Sequence, residues 1–287
     1  MDNFFDLGQT FELLSLGIVH RALIAGAVLG LLAGVLGPLV VTRKMSFAVH
    51  GTSELAFTGG AAALLLGVSV GYGAVGGAVL AALLLGLLSQ KDSERDSVIG
   101  AVLAFGLGLG VLFLALYDGR ATTKFGLLVG QPFGVAADNV WQLVGTAALV
   151  LVVLAFLYRP LLFASVDPDV AAARGVPVRV LTPVFAVLVG IATALSVQIV
   201  GALLVLALMI TPAAAACRVT SSPGRATLLS VLFAEVAVLG GIVLSLAPGL
   251  PVSAFVTAIS FTIYVVCRVV GRVRVRRIGN RRVAVAA

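Results

Sequence analysis

Long apolar stretches, separated by short segments that carry Pro, Gly or charge, make up most of this chain. A helix needs about 20 residues to cross roughly 30 Å of hydrocarbon, because each residue adds about 1.5 Å. Stretches of that length lie near residues 22–41, 47–67, 73–89, 98–117, 140–158, 178–196, 198–217, 226–247 and 251–270. The pattern predicts an all-α integral membrane protein, a polytopic bundle of about nine transmembrane helices (about 8 to 10).

The composition excludes a water-soluble domain. Of the 287 residues, 61% are hydrophobic and only 11% are charged, and the mean hydropathy is +1.18. A soluble fold of this length needs more charged surface than that. We therefore expect the chain to reside in the cell membrane as a multi-pass protein.

The basic residues predict the orientation of the chain. All but three of the 19 Lys and Arg residues fall in alternate connections or at the C-terminal end, the exceptions being Arg21, Arg120 and Lys124. Positive residues in short loops stay in the cytoplasm, so the N-terminus is predicted outside and the C-terminus inside. The net charge of +7 thus reflects topology and does not indicate nucleic-acid binding. We expect one transmembrane domain over residues 1–271 and a basic cytoplasmic tail over 272–287.

Two motifs typical of nucleotide or peptide hydrolysis do not occur in the sequence. It contains no phosphate-binding loop ending in Gly-Lys-Ser/Thr and no His-Glu-x-x-His. No enzymatic activity is therefore predicted for this chain.

His50 and Glu54 lie four residues apart in the second apolar stretch, hence on one helical face with Ser53 beside them. A charged side chain near the bilayer centre costs about 2.5 to 3.5 kcal/mol on insertion scales, so such a residue usually has a partner or a task. An imidazole and a carboxylate at this spacing suit a divalent transition metal. Two ligands favour a transit site over a permanent one. The same residues also fit a pair that bonds to itself or a proton relay.

Two further polar features lie at membrane depth. Glu235, in the eighth stretch, either faces the same path as the His50 and Glu54 pair or bonds to a neighbouring helix. Thr211 and Pro212, in the seventh stretch, predict a kink, because proline breaks the backbone hydrogen-bond ladder.

The cytoplasmic connection over residues 160–177 contains the signals of a short helix over 168–174. Asp167 has N-cap chemistry, Pro168 suits the first helical position, and Asp169 favours the positive end of the helix dipole. Arg174 ends the helix, Gly175 fits its C-terminal stop, and Val170 contributes to its apolar side. Such a helix either packs on the membrane domain or serves as a grip for a soluble partner.

Several sequence blocks resemble one family of membrane proteins. Met45-Ser-Phe-Ala-Val-His-Gly-Thr-Ser-Glu-Leu-Ala-Phe-Thr-Gly59 is similar to the second-span signature of permease subunits of ATP-binding-cassette importers for zinc, manganese and iron. The resemblance continues in Leu128-Val-Gly-Gln-Pro-Phe-Gly-Val135, Asp167-Pro-Asp-Val-Ala-Ala-Ala-Arg-Gly-Val-Pro177 and Val200-Gly-Ala-Leu-Leu-Val-Leu-Ala-Leu-Met-Ile-Thr-Pro-Ala-Ala214.

The signature departs from the family at its polar positions. His50 stands where the family carries Asp, and Glu54 stands where it carries His. Ser53 and Gly59 match, while Thr58 replaces the family's Pro. A carboxylate and an imidazole still face each other across one helical turn. The resemblance therefore implies a metal-contacting pair of the same kind in exchanged positions.

The resemblance implies a permease that imports a divalent metal (manganese, zinc or iron) by alternating access, with no permanently bound cofactor. It implies partners: two cytosolic ATPases that use the ATP, a second permease copy in a homodimer or heterodimer, and an extracytoplasmic metal-binding protein. The segment of Asp167, Pro168, Asp169, Val170, Arg174 and Gly175 looks like the coupling helix that docks on the ATPase. The alternatives are a proton-coupled secondary metal transporter and a membrane scaffold without transport.

Overall fold

We describe a computed structural model of the chain over residues 7–88, 95–120, 124, 126–127, 129–130, 132–134, 137–202 and 205–286. All regular structure in these ranges is helical. The helices are α1 (Leu7–Leu14), α2 (Gly17–Thr42), α3 (Ser46–Leu66), α4 (Val70–Leu88), α5 (Arg95–Leu116), α6 (Ala137–Val166), α7 (Pro168–Ala173), α8 (Val178–Val200), α9 (Val205–Met209), α10 (Thr211–Val219), α11 (Pro223–Leu246) and α12 (Val252–Ala286). A 3-10 turn, Pro132–Gly134, precedes α6.

Six helices of the described residues are long and apolar enough to cross a membrane. They are Gly17–Thr42, Asp96–Leu116, Asn139–Val166, Val178–Val197, Pro223–Leu246 and Val252–Val273. Val70–Leu85 and Val205–Val219 are shorter apolar segments. The structure thus confirms the prediction of an all-α, multi-pass membrane protein.

The helix α3 is not among these six, and it lies inside the bundle. Thirteen of its 21 residues are buried, and it packs mainly against α4, α5 and α8. Protein side chains therefore replace lipid around most of its surface. This surrounding lowers the cost of placing polar groups at membrane depth.

Glycines allow α3 and α4 to approach each other closely. A methyl group at Gly59 would overlap the carbonyl oxygen of Gly73, and one at Gly77 would overlap the carbonyl oxygen of Leu55. Small residues permit such backbone contact between helices in lipid, where van der Waals packing drives association. Direct contact between the backbones of α3 and α4 therefore fixes the position of α3 relative to α4.

The seventh apolar stretch is not one continuous helix. The preceding helix, α8, runs past the boundary predicted near 197 to Val200 and is followed by Gly201, whose φ is +86°. The following helices α9 and α10 are separated at Ile210, with Pro212 in the first turn of α10. Because proline lacks a backbone N–H, it cannot continue the ladder across this point. The predicted Thr-Pro kink is therefore present as a break between two short helices.

Two cavities mark opposite ends of the bundle. One, of about 480 Å³, is lined by the start of α3, the end of α4 and the starts of α5 and α8. The other, of about 740 Å³, is lined by α1, the start of α2, the end of α11 and the start of α12, together with Gly126, Val129, Gly130 and Pro132–Gly134. The start of α2 and the start of α3 lie a whole membrane-length helix apart. The last helix, α12, continues to Ala286, so residues 272–286 of the predicted tail prolong it.

Candidate metal-transit site

The corner between α2 and α3 determines where the polar pair lies. After α2 ends, Lys44 adopts a positive φ of +55° and the chain turns directly into α3 at Ser46. His50 and Glu54 then fall on the second and third turns of α3, and the helix ends at Leu66, followed by Gly67 with φ +70°. The pair is therefore nearer to the end of the bundle that the 480 Å³ cavity marks.

Glu54 is buried and His50 is half-buried, and each has a buried polar atom that forms no hydrogen bond within the described residues. Glu54 is only 4% exposed and His50 is half-buried. Within the described residues, Glu54 Oε2 and His50 Nδ1 are buried atoms that have no hydrogen-bond partner. A buried polar atom left in this state costs about 1–3 kcal/mol. The two side chains thus keep unused ligand capacity, one oxygen and one nitrogen, on a single face of α3.

Ser53 lies beside the pair but is engaged with the backbone. It is fully buried, and its Oγ donates a 2.7 Å hydrogen bond to the carbonyl oxygen of His50. The hydroxyl proton is therefore used inside the helix, as is common for Ser in membrane helices. Its contribution is to fix the turn that carries His50 and Glu54.

Thr58, which the sequence shows only as a replacement of the family's Pro, is bonded within the site. Its Oγ1 lies 2.8 Å from the carbonyl oxygen of Glu54 and 2.5 Å from the carbonyl oxygen of Gly106 in α5. The hydroxyl thereby links the turn of Glu54 to the neighbouring helix. Only its position one turn after Glu54 could have indicated this role.

Two glycines of α5 let that helix lie against the Glu54 side of α3. A methyl group at Gly106 would contact the Cβ of Glu54 at 3.5 Å, and one at Gly110 would lie 2.5 Å from the ring of Phe57. The other glycines of this stretch, Gly100 and Gly108, face open space. The alternate glycines of α5 therefore form a packing face and an exposed face.

The described residues contain no group of three or more His, Cys, Asp or Glu side chains that could hold a metal ion. One copy of the chain thus offers His50 and Glu54 as a pair. Such an arrangement suits an ion in passage, since a structural zinc site usually has four ligands.

Glu235 lies in another part of the bundle. Its carboxylate rests over Gly30 of α2, where an added methyl group would come within 2.9 Å of Oε1. Its helix, α11, packs mainly against α2, α10 and α12, whereas α3 packs mainly against α4, α5 and α8. Among the described residues, Glu235 forms no three-member cluster with His50 and Glu54.

The short helix α7 has the capping geometry that the sequence predicts. Asp167 has extended backbone angles, and its Oδ1 accepts a 3.0 Å hydrogen bond from the backbone N–H of Val170. Pro168 occupies the first turn. At the other end Arg174 is the C-cap and Gly175 has a φ of +82°. The helix spans Pro168–Ala173, in agreement with the predicted 168–174.

The C-terminal turn of α7 is closed by two backbone bonds. Gly175 donates to the carbonyl of Ala172, and Val176 donates to the carbonyl of Ala171, both at 3.0 Å. This is the Schellman arrangement, which favours glycine at the left-handed position. Ala171 is fully buried against the bundle, while Asp169 and Val170 are exposed. A capped six-residue helix therefore lies between α6 and α8, with Asp169 and Val170 on its exposed side.

Comparison with known proteins gives matches along nearly the whole chain. The sequence profile of the ABC 3 transport family matches residues 15–271. The manganese transport system membrane protein MntC of Halalkalibacterium halodurans is 29% identical over 262 residues, which cover 91% of this chain and 88% of that protein. The manganese import system permease protein ScaB of Streptococcus parasanguinis is 30% identical over 228 residues, which cover 79% of each.

The fold also matches a solved structure. A chain of PsaBC from Streptococcus pneumoniae in complex with Fab superposes with a TM-score of 0.83, over 91% of this chain and 95% of that chain. The sequence identity is 24%, so this likeness is one of fold.

Proposed function

The chain belongs to the ABC 3 transport family, and we propose that it is the permease subunit of an ATP-driven importer of divalent transition-metal ions. Manganese is the first metal to test, because the similar proteins MntC and ScaB are named for manganese transport. The structural observation that carries the proposal is the buried pair of His50 and Glu54, whose Nδ1 and Oε2 lack partners in the described residues.

The proposed path runs beside α3. An ion that enters from outside loses water and meets the imidazole of His50 and the carboxylate of Glu54, which are nitrogen and oxygen ligands suited to manganese, zinc or ferrous iron. A second permease copy, identical or different, would bring further ligands to the same region. Two ligands from this chain hold the ion loosely enough to release it. Glu235, on the α2 side of α11, belongs to a different helix contact and is left out of this path.

The proposed topology has about nine crossings, with the N-terminus outside and the C-terminus inside. The cavities support it, since each is lined by helix ends that this topology puts on one side of the membrane. In this topology α9 and α10 together make the seventh crossing. Residues 1–271 form one permease domain, and the basic tail over 272–287 follows in the cytoplasm.

Energy enters through partner chains. We propose that α7 is the coupling helix, which docks on a cytosolic ATPase through Asp169, Val170 and their neighbours. The second permease copy binds a second ATPase in the same way. The stable caps at Asp167 and Gly175 keep the helix folded while force crosses it. ATP binding then moves α7, and the bundle exposes the His50 and Glu54 region to opposite sides in turn. An extracytoplasmic binding protein delivers the metal.

The test is reconstitution of the chain with its ATPase and binding protein in lipid vesicles that are loaded with ATP. Uptake of Mn²⁺ that needs ATP, the ATPase and the binding protein supports the proposal. Zn²⁺ and Fe²⁺ supplied in the same way establish the order of preference. Uptake that persists without ATP and collapses with the proton gradient would instead identify a secondary transporter, and absence of any metal uptake would favour a scaffold.

A further inference from the structure

Arg43, the residue after α2, is bound to the helices on both sides of α7. Its Nε donates a 2.6 Å hydrogen bond to Ser165 Oγ, and its Nη2 donates a 3.1 Å bond to the carbonyl oxygen of Leu161. Both acceptors belong to the last turns of α6, directly before α7. On another side, the guanidinium carbon lies 4.9 Å from the centre of the Phe185 ring in α8. One side chain therefore joins α2, α6 and α8.

The groups that contact Arg43 are themselves held in place. Ser165 donates its own hydroxyl proton to the carbonyl of Leu161 and so presents a lone pair to Arg43. Phe185 is fully buried, so its ring is held by the core and presents its face to the cation. Burial lowers the pKa of Arg43, but an arginine stays protonated at physiological pH. The positive charge of Arg43 thus faces the Phe185 ring, while its planar guanidinium donates to Ser165 and Leu161.

The backbone after Arg43 makes α3 follow it. Lys44 and Met45 donate hydrogen bonds of 3.1 and 3.0 Å back to carbonyls of the last turn of α2. Lys44 closes this turn in a left-handed conformation, with a φ of +55°. The next helix begins at Ser46, and His50 lies on its second turn. A displacement of Arg43 is therefore passed to the start of α3 through a short, hydrogen-bonded corner.

We propose that Arg43 is the positioning residue through which a movement of α7 reaches α3 and its metal-contacting pair. The inference rests on the proposed function, in which an ATPase moves α7. The flanking helices α6 and α8 continue directly from the two ends of α7. Arg43 is bound to both of them and stands seven residues before His50 in the chain. It thus lies where motion of the cytoplasmic helix enters the transport bundle.

A role in membrane topology alone would need only the positive charge. Lys44, next in the chain and exposed, supplies the same charge on the same side. Arg43→Lys keeps the charge, but an ammonium cannot bond to Ser165 and Leu161 in the planar fork and stack on Phe185 at once. This variant therefore separates the geometry of Arg43 from its charge.

The experiment measures Mn²⁺ imported per ATP hydrolysed by the complete complex of permease, ATPase and binding protein in lipid vesicles. The variants are Arg43→Lys, Ser165→Ala and Phe185→Leu, each purified as an intact complex. Lys44→Gln is the matched control, because it removes a neighbouring charge from the same corner.

With Arg43→Lys we expect ATP hydrolysis to continue while Mn²⁺ imported per ATP falls about tenfold, within the usual range of coupling between sites. Ser165→Ala and Phe185→Leu lower the same ratio less, and Lys44→Gln leaves it unchanged. An unchanged ratio with Arg43→Lys overturns the inference. So does a proportional fall of hydrolysis and import, which indicates a merely structural role.

Assembly and the proposed function have separate readouts. If Arg43→Lys does not yield an intact complex, Ser165→Ala and Phe185→Leu decide by the same ratio, because both retain Arg43. An unmodified complex that imports no Mn²⁺ contradicts the proposed function and removes the inference with it. An unmodified complex that imports Mn²⁺, together with an Arg43→Lys complex of equal ratio, contradicts the inference alone.

Discussion

Thr58 Oγ1 lies 2.5 Å from the carbonyl oxygen of Gly106, so a single hydroxyl joins α3 to α5. The same oxygen is within 2.8 Å of the carbonyl of Glu54. The turn that carries the buried carboxylate is therefore bonded to a second helix as well as to its own. Because α5 approaches through a glycine at this level, the two backbones are close enough for a short side chain to bridge them.

Thr58→Val tests this bridge. Valine has nearly the same shape but no hydroxyl, so the variant removes the bond without opening a cavity. We expect a loss of about 1 kcal/mol in unfolding free energy, the usual net value of one hydrogen bond. Thermal unfolding of the purified protein in detergent measures it. Thr262→Val is the control, because that exposed hydroxyl donates to the carbonyl of Ala258 within its own helix. Equal losses in both variants would contradict the bridge.

Gly77→Ala tests the contact between α3 and α4. The added methyl group overlaps the carbonyl oxygen of Leu55, so the helices must separate, and we expect a destabilisation of about 1–3 kcal/mol. Gly76→Ala is a matched control one residue away, since nothing lies within 4 Å of its position. That change should be neutral or stabilise the helix by about 0.5–1 kcal/mol. The same detergent unfolding assay compares them, and a Gly77→Ala protein as stable as Gly76→Ala would refute the packing.

Asp167→Ala tests the cap of α7 as a requirement for the partner. Loss of an N-cap costs about 0.5–2 kcal/mol, which is a large share of the stability of a helix of six residues. We expect weaker copurification of the ATPase with unchanged membrane insertion. Asp167→Asn keeps a capping oxygen while removing the charge, so it should restore binding. If the Asn variant is as weak as the Ala variant, the charge and not the cap is responsible.

Features that depend on local chemistry were predictable from the sequence. The apolar stretches appear as helices because hydropathy over about 20 residues is a local property. The helix α7 appears with its Asp167 cap and its Gly175 stop because both signals lie within a few residues of the bonds they make. His50 and Glu54 share one face of α3 for the same reason.

Features that depend on which helices meet were not predictable. Two examples are the hydrogen bonds from Thr58 to Gly106 and from Arg43 to Ser165. Each joins residues that are distant in sequence, and no periodicity indicates them. For the seventh stretch the sequence predicted the kink at Thr211 and Pro212. It did not predict that α8 extends to Val200, so that two short helices make up the stretch. The placement of Glu235 over Gly30 likewise follows from the pairing of α2 with α11.

The most direct test of the account is Mn²⁺ uptake by the reconstituted complex in which His50→Ala is combined with Glu54→Gln. Both side chains lose their ligand character while the helix remains, so the complex should stay assembled with its ATPase. We expect ATP-dependent Mn²⁺ uptake to fall to the level of vesicles without protein. Uptake equal to that of the unmodified complex would contradict it.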